Sequence, residues 1–238
     1  MNLYKNDYRN LYPLQDKLLN WWAALDLPFY LTGGTALGRF YLHHRYSEDL
    51  DFFVNNYPDF SKHILFIKNE LQNHFNTDIS KAIVTNEFIR FFITENEVSI
   101  KVEFVNDVAY RVGEVVKSKM GSIDNVSNIL ANKLTAIIGR DEPKDVFDIV
   151  TIASNYSFNW LTMFQHAKEK AMINEIDVEQ RLFNFPVERL TTVDWLLKPI
   201  DIELFKSNIR KITDDFLLGY DNSLGKNKVP IDLAKLIA

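Results

Sequence analysis

With 238 residues and 27.8 kDa, the chain has room for one large domain or two small ones, and 47% hydrophobic with 25% charged residues excludes disordered, collagen-like and coiled-coil classes. It has no cysteine, which excludes disulfides, thiolate zinc sites, iron–sulfur clusters and thiol nucleophiles. The net charge of −5 is spread over both halves, so neither half has the basic surplus of a constitutive nucleic-acid binder.

The first residues, 1–9, are polar and carry Asp7, unlike the apolar core of a signal peptide. No later run reaches the ~18 apolar residues of a membrane span, so a cytoplasmic protein without a membrane partner is expected. Residues 11–25 place Leu11, Leu14, Leu18, Trp21, Trp22 and Leu25 at helical spacing and predict a helix ended by Pro28. Phe29-Tyr30-Leu31-Thr32 predicts a strand, Gly33-Gly34 a turn, and residues 36–43 a second helix with Leu37, Phe40 and Tyr41 in phase. Leu50 and Phe52-Phe53-Val54 predict a strand headed by Asp49 and Asp51. Residues 60–75 predict a helix that crosses back over the sheet.

Residues 79–84, 88–94 and 98–105 are β-rich and predict an antiparallel meander, with Glu95-Asn96-Glu97 as the turn between the last two. From about Asp124 the periodicity is helical: 126–138, 144–154, 160–172, 178–183 and 202–218. The break falls around residues 113–121. It divides an α/β (α+β) N-terminal domain with a mixed sheet, 1–117, from an all-helical C-terminal domain, 118–238.

A glycine turn opening a helix presents backbone N–H groups and a positive dipole end, an anion site for phosphates to which the Thr35 hydroxyl adds a donor. Asp49 and Asp51, on alternate positions of a strand, face one way. Two such carboxylates call for a hard cation such as Mg²⁺ or for basic partners. A phosphate cradle together with a carboxylate pair points to nucleotidyl transfer.

Residues 31–53, with Gly33-Gly34 followed by Asp49-Leu50-Asp51, resemble the nucleotidyltransferases of the polymerase β superfamily. The closer resemblance is to the AbiEii toxin family of abortive-infection and type IV toxin–antitoxin systems. Its G-G-T-A-L, Tyr-Leu-x-His-Arg and S-x-D-L-D-F runs stand in order at 33–37, 41–45 and 47–52. Its later K-L-x-A-[ILV]-x-x-R and K/R-D-x-x-D patterns are matched by Lys133, Leu134, Ala136, Ile137 and Arg140, then by Lys144, Asp145 and Asp148. The resemblance spans about residues 29–152. It implies a Mg²⁺-dependent transfer of NMP from an NTP to an acceptor hydroxyl, with tRNA among the acceptors and a separately encoded antitoxin opposing it.

In that reading Asp49 and Asp51 bind two Mg²⁺ ions, and a third carboxylate completes the site. Glu103 is chosen, with Asp107 as the alternative, because alternation puts Glu103 and Lys101 opposite the apolar Val102 and Phe104. Glu103 serves as ligand or general base, or is an exposed strand carboxylate paired with a lysine. Gly33, Gly34, Thr35, Arg45, Ser47, Lys133 and Arg140 form the nucleotide side. Lys133, amid Ile129, Leu130, Leu134 and Ile137, either reaches phosphates or snorkels from an apolar stripe. Asp145 and Asp148 either meet the dipole of a helix opened by Pro143 or join the active site, holding Lys133, Arg140 or the base. Arg45 either neutralises the carboxylate cluster or is a surface arginine. His43 and His44 read as a helix C-cap rather than metal ligands.

Two other classes compete with this reading: a non-catalytic nucleotide- or protein-binding module of the same fold, and a phosphoryl or protein-modifying transferase. The acidic net charge favours a protein or small acceptor over RNA.

Overall fold

The structure is a computed structural model that describes residues 8–237 without the side chains of residues 9, 79 and 80. The sequence reading of residues 1–7 lies outside the described part. The chain divides into two compact units. The first is drawn from Met1–Arg39, Tyr46–Ala109 and Val115–Asp124, and the second from Phe40–Arg45, Tyr110–Glu114 and Asn125–Ala238.

The first unit is a mixed α/β unit. Helix α1 (Tyr8–Ala24) leads to strand β1 (Tyr30–Thr32) and helix α2 (Gly33–Leu37), which is followed by one π-helical turn, Gly38–Leu42. Strand β2 (Leu50–Asn55) and helix α3 (Phe60–His74) come next. Strands β3 (Thr77–Val84), β4 (Phe88–Glu95) and β5 (Val98–Asp107) form the predicted meander, and β6 (Val116–Ser118) and β7 (Gly121–Ile123) a further hairpin. The seven strands make one sheet in the order β3-β4-β5-β2-β1-β7-β6. It is antiparallel except for the parallel pairs β2–β5 and β1–β7.

Alternation decides the two faces of this sheet. Leu50, Phe52 and Val54 of β2, Ile100, Val102 and Phe104 of β5, and Ile89, Phe91 and Ile93 of β4 are all buried on one side. The Trp22 ring of α1 lies 4.4 Å from Phe52 and 5.3 Å from Phe104, and Phe60 of α3 lies 5.9 Å from Phe29. Each buried side chain of this size contributes about 1.5–3 kcal/mol. The odd-numbered residues of β2 and β5 point to the other face, where the chemistry lies.

The sequence misses the β6–β7 hairpin. Its three-residue strands are too short to show a period, and β7 is held by pairing with β1 rather than by a local signal. That pairing brings residues up to Asp124 into the first unit, so the break falls later than the change in composition at 117. The second helix also differs, starting at Gly33 itself rather than after the glycines.

In the second unit, helices α4 (Val126–Gly139), α5 (Pro143–Asn155), α6 (Trp160–Lys168), α7 (Glu175–Phe183) and α8 (Ile202–Leu217) carry most of the chain. Their starts are chemically marked. Asn125, Asn159, Asn174 and Asp201 each accept a backbone N–H of the first turn of α4, α6, α7 and α8, and Pro143 opens α5. The unit is not all-helical, as the sequence led one to expect. Strands β8 (Tyr156–Ser157) and β9 (Val229–Pro230) form a parallel pair, which two-residue segments cannot announce in sequence. Helix α6 stops at Lys168, short of the predicted 172, because the Asn174 cap restarts the chain as α7. Among the described residues no helix is long and apolar enough to cross a membrane.

Candidate active site

The segment entering β2 is fixed from two sides. Gln15 of α1, fully buried, donates to the carbonyls of Ser47 at 3.0 Å and Glu48 at 3.1 Å. The buried Thr35 hydroxyl bonds the Ser47 hydroxyl at 2.8 Å and the Asp49 carbonyl. The sequence assigned Thr35 and Ser47 to the nucleotide, but both hydroxyls are used inside the protein, where they hold Asp49 at the head of the strand.

On the polar face of the sheet a row of side chains runs across four strands. Arg90 on β4 faces Glu103 on β5, Glu103 faces Asp51 on β2, and Asp51 faces Thr32 on β1. Arg90 binds Glu103 through Nε at 2.7 Å and Nη2 at 2.6 Å. Lys101 Nζ lies 3.0 Å from Asp49 and 3.3 Å from Glu103. Thr32 donates to the buried Asp124 at 2.6 Å. Asp107, the alternative to Glu103, pairs with Asn55, four residues along β5 and about 13 Å from Glu103 at the rise of a strand.

Charge is unevenly balanced along this row. Burial pushes the Asp51 carboxyl up to about 7, helped by the Asp49 and Glu103 charges and opposed by Lys101. Burial would raise Glu103 too, but Lys101 and Arg90 outweigh it and hold Glu103 below the usual carboxylate range. An ionised, low-pKa Glu103 is a charged ligand or electrostatic partner rather than a strong base. Among the described residues no three His, Asp or Glu side chains are spaced to hold a metal ion by themselves; Lys101 and Arg90 engage Asp49 and Glu103.

Gly33 lets the Asp51 carboxylate pack directly against its backbone. It has φ +69°, and a Cβ there would lie 2.6 Å from Asp51 Oδ2. Gly33→Ala is expected to cost about 1–2 kcal/mol through backbone conformation alone and, in addition, to displace Asp51. Gly121→Ala, at φ +100° with Trp22 at 3.6 Å as its nearest neighbour, carries a comparable backbone cost without touching a carboxylate. Thermal melts should drop for both, while activity should fall further only for Gly33→Ala; equal activity losses would show that the Asp51 contact is unimportant. Gly34 lies in the first turn of α2.

The second unit holds a separate buried ion cluster. Asp148, fully buried, accepts from Arg45 Nε at 2.6 Å, Arg45 Nη2 at 2.7 Å and Lys133 Nζ at 2.7 Å, and His44 Nε2 lies at 2.8 Å. Asp145 accepts from Lys133 at 2.6 Å and from Arg140 at 2.7 and 3.0 Å. Burial opposes ionisation of both aspartates, yet Arg45 and Lys133 hold Asp148 well below the usual range, and Lys133 and Arg140 hold Asp145 below it. Trp195 stacks 5.7 Å from the Arg45 guanidinium, and Phe147 lies parallel to His44.

The family model for the nucleotidyl transferase AbiEii toxin of type IV toxin–antitoxin systems matches residues 18–221. The chain belongs to that family. Among solved structures, this AbiEii-family chain is similar to JHP933 from Helicobacter pylori, at 21% identity and TM-score 0.58 over 88% of this chain and 93% of that one. It is also similar to MenT4, a nucleotidyltransferase toxin from Mycobacterium tuberculosis H37Rv, at 15% identity and TM-score 0.52 over 90% and 85%. At these identities the likeness is one of fold. No curated protein matches the chain.

The site residues read from the sequence of this AbiEii-family chain thus fall into two groups. Gly33, Gly34, Thr35, Ser47, Asp49, Asp51 and Glu103 belong to the first unit, and Arg45, Lys133, Arg140, Asp145 and Asp148 to the second. Arg45 is not a surface arginine; it is buried on Asp148. Lys133 does not snorkel but lies between two carboxylates. His44 meets Asp148 instead of capping a helix. The reading missed Arg90 and Asp124, and it placed Lys101 beside Glu103 without seeing that it also reaches Asp49. Only strand register, which composition does not show, places them in the row.

Proposed function

We propose that this AbiEii-family chain is a Mg²⁺-dependent nucleotidyltransferase of the EC 2.7.7 type. It moves NMP from an NTP to an acceptor hydroxyl on a tRNA or a protein, in the cytoplasm, and a cognate antitoxin opposes it. The observation that carries the reading is the set of three carboxylates, Asp49, Asp51 and Glu103, on one sheet face with Asp51 in front of the side-chain-free Gly33.

Asp49 and Asp51 suit a hard cation. They are oxygen donors, and the crowding of negative charge that lifts Asp51 to about 7 is what a divalent ion would relieve. Two Mg²⁺ ions bound there would neutralise triphosphate charge and acidify the attacking hydroxyl. The rest is positioning by the chain. Thr35 and Gln15 fix the approach to β2, Arg90 and Lys101 keep Glu103 ionised, and Gly33 leaves room for Asp51. The acceptor hydroxyl gives up its proton to solvent as its oxygen attacks the α-phosphorus, the bond to the bridging oxygen breaks, and pyrophosphate leaves.

The test is transfer from each of four α-³²P-labelled NTPs to total RNA and total protein, comparing wild type with an Asp49→Asn, Asp51→Asn double variant. Label in one fraction with the wild type alone would name base and acceptor class. Label arriving only from γ-³²P NTP would assign phosphoryl transfer instead. No label, together with no heat of Mg²⁺–NTP binding in calorimetry, would leave a protein-binding module.

A further inference from the structure

The polar face of the first unit's sheet sets three carboxylates against two cations. Arg90 is bound to Glu103, whereas Lys101 bridges Asp49 at 3.0 Å and Glu103 at 3.3 Å. Register puts it there: Leu50 faces Val102 and Asp51 faces Glu103, so one step earlier in the ladder brings Lys101 level with Asp49. Its side chain is only 29% exposed, so the ammonium is held against the carboxylates rather than extended into water.

We infer that Lys101 is the resident counter-ion of the Asp49–Asp51–Glu103 group, competing with a divalent cation for Asp49 and Glu103, so that the site takes up the cation together with a triphosphate rather than alone. The inference rests on the reading of Asp49 and Asp51 as a cation site. Counted at full ionisation, the three carboxylates and two cations carry one net negative charge, and without Lys101 two. A bare divalent ion must also displace the ammonium from two carboxylates and leave it without a partner on a half-buried face. A nucleoside triphosphate changes that exchange, because its anionic oxygens give the displaced ammonium a new partner. Lys101 therefore couples cation and nucleotide binding, weakening the first when the second is absent.

The experiment measures Mn²⁺ binding to the nucleotide-free full chain, read from the electron paramagnetic resonance signal of free Mn²⁺. Lys101→Met keeps the aliphatic stem, Lys101→Gln keeps a polar end, and Lys101→Arg keeps the charge. Circular dichroism melts establish that each variant is folded. Removal of one unit charge at this range should tighten Mn²⁺ about tenfold in the Met and Gln variants. The Arg variant should match the wild type, and adding a non-hydrolysable NTP analogue should improve Mn²⁺ affinity less in Lys101→Met than in wild type. If wild type binds Mn²⁺, Asp51→Asn abolishes binding and the Met and Gln variants bind no more tightly, the counter-ion role falls while the cation site stands. If no variant binds Mn²⁺ at millimolar concentration, with or without the analogue, the cation site and the counter-ion role fall together.

Discussion

Asp51→Asn is expected to lower nucleotidyl transfer on the order of 10³-fold while raising the stability of the cation-free protein at pH 8. The two effects share one cause. Asp51 binds its proton more tightly folded than unfolded, with a value of about 7 against an ordinary 3.8. Its favourable contribution is therefore complete below about pH 4 and is lost as the pH rises through about 7. At pH 8 the folded protein carries an ionised Asp51 beside Asp49 and Glu103, and the uncharged, isosteric Asn removes that repulsion. The gain should be about 1 kcal/mol, or roughly 2–4 °C in Tm for a chain of this size, and it should vanish only below about pH 4, where Asp51 is protonated in both states. Melts across this pH range with excess chelator check the stability half, and the α-³²P assay checks the other. A variant that is inactive but less stable than wild type at pH 8 would mean that Asp51 is a structural hydrogen-bond partner, not a site of concentrated charge. The trade between stability and activity is expected wherever like charges are gathered for binding.

The site's face was legible in the sequence because a strand has a period of two, so Asp49, Asp51 and Glu103 declare their side from their neighbours alone. Phe52 and Phe104 alternate with Asp51 and Glu103, and each apolar residue found its place in the core. What the sequence does not carry is register between strands distant in the chain. Nothing local states that Asp51 stands level with Glu103, or that Arg90 and Lys101 close on the same carboxylate. The hairpin β6–β7 was invisible for a related reason: each strand has three residues, and its hold on the sheet comes from β1, far upstream. Arg45 shows the limit most clearly. Its nearest carboxylates in sequence are Glu48, Asp49 and Asp51, and neutralising that cluster was the natural assignment. Its partner is Asp148, 103 positions away. A buried lysine on an apolar helix stripe, by contrast, forced the right question at Lys133, since such a charge needs a partner.

That partner is where the largest loss of stability is expected. Asp148→Asn should destabilise the fold by about 3–5 kcal/mol, because it leaves Arg45 and Lys133 buried with one charge fewer than they need. The neutral amide can accept at one atom only, whereas the carboxylate receives Arg45 on both oxygens, Lys133 on one and His44 on the other. Chemical denaturation measures the cost, and Lys133→Met in the same chain should recover part of it by removing the stranded ammonium. If the double variant were less stable than the wild type by the sum of the two single costs, the two residues would not be coupled. The acid limb separates the members of the cluster. Burial lowers the pKa of His44, so its neutral form stabilises the fold fully above about 6.5 and that contribution fades as the pH falls through its lowered value. Asp145 and Asp148, held below the usual carboxylate range, lose theirs only as the pH falls below about 4. Wild-type stability should therefore fall as the pH drops below about 6.5, a slope that His44→Gln flattens. Asp148→Asn should instead lower the whole curve at neutral pH, where every carboxylate of the cluster is ionised. A protein that owes this much stability to charges buried in its second unit can lose activity on mutation of Asp148 without Asp148 touching a nucleotide. Asp148→Asn should for that reason be assayed at a temperature where it is demonstrably folded. Activity retained there marks the cluster as a scaffold, and activity lost from a folded protein marks it as part of the site.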